Sequence, residues 1–205
     1  MSFIPKDYDK ASPGDYMNKF QDGPNKIRFL KGPITGYEHW VTPEGNIRLK
    51  KEQIQKGDKP VRVKDFTELD MEARNNMKGF CAAYVWNYNA DKAQVLQLNQ
   101  VTIMRAFDAL AESPSWGDIT GYDVVVTRTK TGSAPKDVEY SVMPEPKAPL
   151  MKEITEMSDI ENINLEALYE GEDPFEREMK MMTEDPITNE DLDNMAEKIG
   201  AKKSK

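Results

Sequence analysis

The chain has 205 residues, of which 38% are hydrophobic, and its formal net charge is -8. A single cysteine, Cys81, and a single histidine, His39, exclude an intramolecular disulfide and argue against a structural zinc site, which needs several ligands of these types. The sequence has no secretory signal and no apolar run of membrane length, so a cytoplasmic protein without a membrane partner is expected.

The negative charge is concentrated at the end of the chain. Residues 151–205 carry 16 acidic and 7 basic side chains, whereas residues 1–150 carry 20 acidic and 21 basic ones. Strand-forming residues also become rare after position 150. We therefore predict an N-terminal arm over residues 1–24, a folded domain over 25–150, and an acidic, flexible and partly helical tail over 151–205.

The first part of the folded domain shows short alternating patterns. Residues 26–30, 36–41 and 46–50 each alternate polar with bulky side chains and are predicted to be strands, the last two joined by a Thr-Pro-Glu-Gly turn at 42–45. The following residues, up to position 64, are rich in lysine and are predicted to form a basic connection.

The clearest pattern of the chain is a β-hairpin over residues 78–100. A first strand at period two places on one side Phe80, Ala82, Tyr84, Trp86 and Tyr88. A turn at 89–92 and a second strand at 93–98 complete the hairpin. An aromatic row of this kind either belongs to a hydrophobic core or offers flat rings on which unpaired bases stack, and the pattern alone leaves both interpretations open.

The remaining elements predict a mainly β fold. A short helix is expected near residues 67–77, an amphipathic helix at 101–112, and a second hairpin from strands at 121–129 and 138–143. All connections are compatible with antiparallel pairing. We predict an antiparallel barrel like the oligonucleotide-binding (OB) fold with one packed helix, and an open α+β sheet as the alternative.

Aromatic and cationic side chains on one surface are the combination that binds single-stranded nucleic acid, because rings stack bases while cations hold phosphates. No recognition helix for duplex DNA is present, and stacking requires no base-specific hydrogen bonds, so weak sequence preference is expected. The candidate nucleic-acid-binding residues are Lys26, Arg28, Trp40, Arg48, Lys50, Lys51, Lys56, Lys59, Arg62, Lys64, Tyr84, Trp86 and Tyr88.

A resemblance to a known family covers about residues 25–149. It rests on VWNYNADKAQVLQLNQVTIMRAFDALAESPSWGDITGYDVVVTRTKTG, followed by EYSVMPEP. The ordered WN hairpin, NQ-led helix, WGD turn, YD-strand ending in TRT…G and Y-V-P close resemble single-stranded DNA-binding proteins of tailed bacteriophages. The resemblance implies an OB-fold barrel that coats single strands during phage DNA replication and recombination in the infected host cell.

The same resemblance implies that the acidic C-terminal region recruits replication enzymes. Candidate partner-binding residues in this region are Asp173, Phe175, Glu176, Asp191 and Asp193. The family's tails commonly end in acidic residues and an aromatic, whereas this chain ends in Lys-Lys-Ser-Lys. The charge difference also motivates the hypothesis that the tail competes with DNA for the basic groove.

Catalysis is not expected. The sequence contains no Walker loop, no HExxH, no nucleophile elbow and no deaminase signature, and its paired acidic residues fall in the predicted tail. No cofactor and no metal ion are therefore expected. The alternative function is a protein-interaction or scaffold module of a phage replication or transcription complex that does not bind DNA directly.

Overall fold

The structure of the protein is a computed structural model that describes residues 14–134, 137–158 and 160–175. This part of the chain is mainly β, with one open mixed sheet of eight strands and three α-helices. The strands are β1 (Tyr16–Met17), β2 (Gly23–Phe29), β3 (Ile34–Val41), β4 (Lys59–Val63), β5 (Lys78–Asn87), β6 (Lys92–Leu98), β7 (Asp123–Lys130) and β8 (Val138–Pro144). The helices are α1 (Met71–Asn76), α2 (Val101–Ala111) and α3 (Lys152–Met157), with 3-10 turns at Phe66–Glu68, Ile119–Gly121 and Leu165–Tyr169.

The ten-residue strand β5 organises the sheet. Strand β6 pairs along one of its edges, whereas β2 and β3 share the other edge, β2 beside the C-terminal part of β5 and β3 beside its N-terminal part. Strands β7 and β8 extend the sheet from β2, β4 pairs with β3, and β1 is parallel to β6. The predicted hairpins around β5 and β7 are confirmed.

Period-two alternation along β5 creates two apolar clusters, one on each face of the sheet. Cys81, Ala83 and Val85 join a core that α2 covers with Ile103 and Phe107. Helix α2 lies where the amphipathic pattern predicts it, and its apolar stripe faces this core. The opposite face of β5 carries the aromatic row, which belongs to a second cluster.

The second cluster is completed by residues that follow β8, which corrects the prediction of a flexible tail starting at position 151. Residues 150–158 and 160–175, called here the covering segment, lie across the aromatic face of β5. Ile154, Ile163, Leu165 and Leu168 are each at most 4% exposed. Apolar side chains spaced between acidic ones allow this segment to bury one side while its charges stay in water.

The lysine-rich connection contains a strand that the sequence analysis missed, and the strand predicted at 46–50 is reduced to one bridge between Val41 and Ile47. Strand β4, and not the strand predicted at 46–50, pairs with β3 along its length, with Trp40 opposite Pro60. A proline is tolerated there because β4 is an edge strand. The helix predicted near 67–77 is divided into a 3-10 turn and α1, capped separately by Asp65 and Asp70.

Candidate nucleic-acid interface

The aromatic row is closed over most of its length. Tyr84 is 4% exposed and Trp86 is 3% exposed. The ring of Phe175 packs edge-on against Tyr84 at a centroid distance of 6.3 Å, and Tyr169 packs in the same way against Phe80. The expectation that Tyr84 and Trp86 stack bases is therefore corrected, since both side chains belong to the core beneath the covering segment.

Polar contacts hold the covering segment at several points. The Tyr169 hydroxyl donates to the carbonyl of Thr35 at 2.7 Å, and Lys31 donates to the carbonyl of Ile163 at 3.0 Å. Lys64, predicted to contact phosphates, forms an ion pair with Glu166, and the hydrogen bond to this carboxylate, followed by its negative charge, raises the pKa of the lysine. Lys64 is thus engaged by the protein's own carboxylate.

The free energy needed to remove the covering segment from the aromatic row exceeds the free energy that base stacking on the row could supply. Removing the segment would expose three aromatic rings of β5 and four buried aliphatic side chains of the segment. Each fully buried side chain of this size contributes about 1.5–3 kcal/mol, whereas each stacked base returns about 1–3 kcal/mol. Seven side chains outweigh three stacking contacts. We therefore expect the covering segment to remain in place when a ligand binds.

The cations at the Tyr88 end of the row are neutralised within the protein. Lys26 lies 2.9 Å from Asp123 and 2.7 Å from Glu145, and Arg28 lies 3.3 Å from Asp123. The Tyr88 hydroxyl also donates to Asp123, at 3.1 Å. Burial, followed by the nearby Asp123 carboxylate, raises the pKa of Tyr88 to about 12. These groups bind one another and connect β2, the end of β5 and β7, so they do not form a phosphate site.

The opposite end of the row is open and forms a cleft between β3, β4 and β6. The cleft has a volume of about 230 Å³. Its walls combine aromatic, charged and amide side chains: Asn18, Glu38, Trp40, Arg62, Phe80, Gln97, Leu98 and Asn99. We call it the Trp40 cleft. Of the predicted residues, it brings together Trp40 and Arg62.

A chain of hydrogen bonds fixes the floor of the Trp40 cleft. The Trp40 indole donates to one Glu38 oxygen at 2.9 Å, and Arg62 Nε donates to the other at 2.8 Å. A second nitrogen of Arg62 donates to Gln97 Oε1 at 3.1 Å. The Arg62 guanidinium also lies 4.3 Å from the centre of the Phe80 ring. Because Arg62 is buried and paired, it shapes the cleft instead of reaching for phosphates.

Two lysines, the exposed Lys50 and the half-buried Lys78, flank one side of the Trp40 cleft. Lys50 and Lys78 line a shallow groove that shares Glu38 and Trp40 with the cleft. Lys51 and Lys56 are exposed in the adjoining loop. Arg48, in contrast, is bound by both oxygens of Asp58, at 2.9 and 3.2 Å. The free positive charge predicted for this region therefore comes from lysines.

The other side of the cleft is acidic. A wider hollow that shares Arg62 and Gln97 with the cleft is bordered by Lys59 and by three acidic residues of the covering segment, Glu170, Glu172 and Asp173. Lys59 is exposed, but these carboxylates surround the same hollow. A polyanion passing through the Trp40 cleft is therefore favoured on the Lys50 side and repelled on this one.

Several residues of the cleft were not among the candidates. Gln97 and Asn99 lie on and just after β6, and neither polar side chain stood out from the strand pattern. Phe80 lies near the start of the aromatic strand itself, and Lys78, which begins that strand, borders the adjoining groove. The available signal was the spacing of Glu38 and Trp40, which places both on one face of β3, but pairing with Arg62 depends on the unpredicted strand β4.

The candidate partner-binding residues are only partly described. Asp173 accepts from the Tyr16 hydroxyl at 3.1 Å and from its own neighbour Phe175 N at 3.0 Å. Phe175 is half-buried against Tyr16 and Tyr84. Both residues thus stabilise the covering segment. Glu176, Asp191 and Asp193 lie outside the described residues.

Two features are absent from the described part of the chain. Within residues 14–134, 137–158 and 160–175, no group of three or more histidine, cysteine, aspartate or glutamate side chains is arranged to hold a metal ion. No helix in these ranges has the length and apolar character needed to cross a membrane.

Comparison of the chain with protein-family models, with curated proteins and with solved structures found no match.

Proposed function

We propose that the protein binds single-stranded DNA with little sequence preference, through the Trp40 cleft and the lysines beside it. The observation that carries this proposal is the half-buried indole of Trp40, next to the stacked Arg62 and Phe80 and bordered by Lys50 and Lys78. An accessible ring beside positive charge stacks a base and holds the flanking phosphates, which is how sequence-tolerant single-strand binding is achieved.

The charge around the cleft supports one path for the strand. Phosphates are attracted to Lys50 and Lys78, which line the groove beside Trp40, and to Lys51 and Lys56 in the loop that follows Lys50. The acidic hollow lies on the other side. Because exposed charges act over a Debye length of about 8–10 Å, the two sides differ for a strand that passes over Trp40. The strand therefore runs along the lysine side and presents one base to the cleft.

The biological part of the proposal rests on the family resemblance. We propose an OB-like barrel that protects single strands during phage DNA replication and recombination in the cytoplasm of the infected cell. The way in which β2 and β3 share one edge of β5 is compatible with such a barrel. Recruitment of replication or recombination proteins is assigned to Glu176, Asp191 and Asp193, because Asp173 and Phe175 are used in packing. The role is one of binding, without catalysis.

Tryptophan fluorescence with oligo-dT tests this proposal. At low salt we expect oligo-dT to quench part of the emission, because Trp40 is accessible whereas Trp86 is buried. Trp40→Phe should abolish most of the quenching and Trp86→Phe should retain it. Anisotropy of labelled oligo-dT measures binding independently of the tryptophans, and absence of binding in both assays would refute the proposal. Competition with oligo-U then distinguishes DNA from RNA.

A protein-interaction module is the second candidate function. An apolar pocket of about 130 Å³ opens between α2 and the sheet, lined by Phe29, Cys81, Met104 and Phe107 among others. A pocket of this composition accepts an apolar side chain of a protein partner. If oligo-dT leaves both the emission and the anisotropy unchanged, a scaffold role through this pocket becomes the better account.

A further inference from the structure

The floor of the Trp40 cleft has hydrogen-bonding capacity that the protein does not use. Glu38 accepts one bond at each oxygen, from Trp40 and from Arg62. A carboxylate has about four acceptor positions, so further ones remain on this residue, which is only 6% exposed. Glu38 lines the cleft, and its unused acceptor capacity is therefore available to a ligand there.

Gln97 supplies a donor next to this acceptor. Arg62 only donates, so the Gln97 oxygen must face it, as the 3.1 Å contact shows. This fixes the orientation of the amide, and its nitrogen has no protein acceptor among the described residues. Because Gln97 lines both the Trp40 cleft and the wider hollow, this donor is available to a ligand where the two meet. Arg62 thus holds both a carboxylate acceptor, Glu38, and an amide donor, Gln97, and both side chains line the cleft.

The combination of the Glu38 acceptor and the Gln97 donor restricts which chemical groups the Trp40 cleft can bind. A phosphate is disfavoured against the Glu38 carboxylate because both are negative. The cleft suits a flat group that donates at one position and accepts at the next, and its volume of about 230 Å³ has room for a single base. Cytosine and adenine carry an exocyclic amino group beside a ring nitrogen that accepts. The N3–H of thymine lies between two carbonyl oxygens, one of which would approach the carboxylate.

We propose that the Trp40 cleft reads one nucleotide of the bound strand, and that it prefers cytosine or adenine, whose exocyclic amino group lies beside an accepting ring nitrogen on the Watson–Crick edge, over thymine. Glu38 accepts from the amino group, Gln97 donates to the neighbouring ring nitrogen, and Trp40 provides the apolar wall. Carboxylate acceptance from the cytosine amino group and glutamine pairing with adenine are established forms of base readout. This inference rests on the proposed function and adds a preference at a single position to otherwise sequence-tolerant binding.

Anisotropy titrations with labelled oligonucleotides of equal length test the preference. The probes are all-dT, dT alternating with dC, and dT alternating with dA. We expect the two mixed probes to bind roughly tenfold more tightly than all-dT, as a well-made pair of hydrogen bonds to one base allows. A gain for dC alone or dA alone would identify which base fits, and equal affinity of all three probes would overturn the inference.

Variants then locate the preference in the cleft. Gln97→Ala should bring the mixed probes to within about twofold of all-dT, since one bond of the pair is lost. Gln53→Ala is the matched control, because Gln53 is exposed and does not line the cleft. Glu38→Gln should have the same effect as Gln97→Ala, provided that its thermal unfolding shows a folded protein. A preference that survives both changes at the cleft would contradict the assignment.

The outcomes separate this inference from the proposed function. Equal binding of all probes with quenching that depends on Trp40 would refute base reading and leave single-strand binding intact. Absence of binding to every probe would refute both.

Discussion

Arg62 lies over Phe80, with its guanidinium carbon 4.3 Å from the ring centre, where the aromatic row of β5 meets the open cleft. On one side of this pair, Tyr84 and Trp86 are sealed beneath the covering segment. On the other side, Trp40 is half-buried and reachable. The pair therefore separates rings that stabilise the fold from a ring that is able to contact a ligand.

The two tryptophans on the aromatic face should respond differently to truncation. Trp40→Ala should weaken binding of single-stranded DNA by about 1–3 kcal/mol, the value of one stacked base, with little loss of stability. Trp86→Ala should lower the free energy of unfolding by about 3–5 kcal/mol because it empties a core position. Anisotropy titration and chemical denaturation measure the two effects. Stronger loss of DNA affinity in a folded Trp86→Ala protein would show that the covering segment opens.

Lysines near the cleft should determine the salt dependence of binding. Each phosphate neutralised contributes a slope of about -0.7 in log K against log salt for single strands. Replacing Lys50, Lys51 and Lys56 with alanine should therefore make the slope less negative by about 2 if each contacts one phosphate. The matched control replaces Arg105, Lys147 and Lys152, which are also exposed and lie elsewhere. Similar slopes for the two triple variants would contradict the proposed path.

Two truncated proteins should show that the covering segment stabilises the fold and that the residues beyond it do not. Residues 151–175 carry eight acidic and one basic side chain, whereas residues 176–205 carry eight acidic and six basic ones. Ending the chain after Leu150 should expose the aromatic row and give a protein that aggregates or binds apolar dyes. Ending it after Phe175 should preserve the thermal midpoint.

The protein that ends after Phe175 also tests whether residues 176–205 compete with DNA for the cleft. Residues 176–205 have a net charge of only -2, and salt screens it, so we expect DNA affinity to change less than about threefold when they are removed. Affinity at low salt is the measurement. Tightening by an order of magnitude would support competition by the chain end.

Stability should decrease in alkaline solution because of Cys81. Burial raises the pKa of this thiol from 9.0 to about 11. Above pH 9 the unfolded chain loses the thiol proton while the folded protein keeps it, so the free energy of unfolding falls between about pH 9 and 11 by roughly 2–3 kcal/mol. Denaturant midpoints across this range measure the decrease. Cys81→Ala should lose stability more slowly with rising pH, and an identical pH dependence would exclude the thiol as the cause.

Short-range patterns were enough to locate the β5–β6 hairpin and α2, since alternation along residues 78–98 and the helical spacing from residue 101 depend on local geometry. The sequence also indicated Trp40 and Glu38 as neighbours on one face. The accessibility of the aromatic rings, in contrast, depends on long-range packing, because Tyr84 and Trp86 are covered by side chains about 70 to 90 positions later in the chain. The Trp40 cleft likewise depends on Arg62, which pairs with Glu38 only because β4 joins the edge of β3. Alternation with a period of two residues predicts which face of the sheet a side chain lies on. Whether that face is covered depends on contacts with distant parts of the chain, which no local pattern encodes.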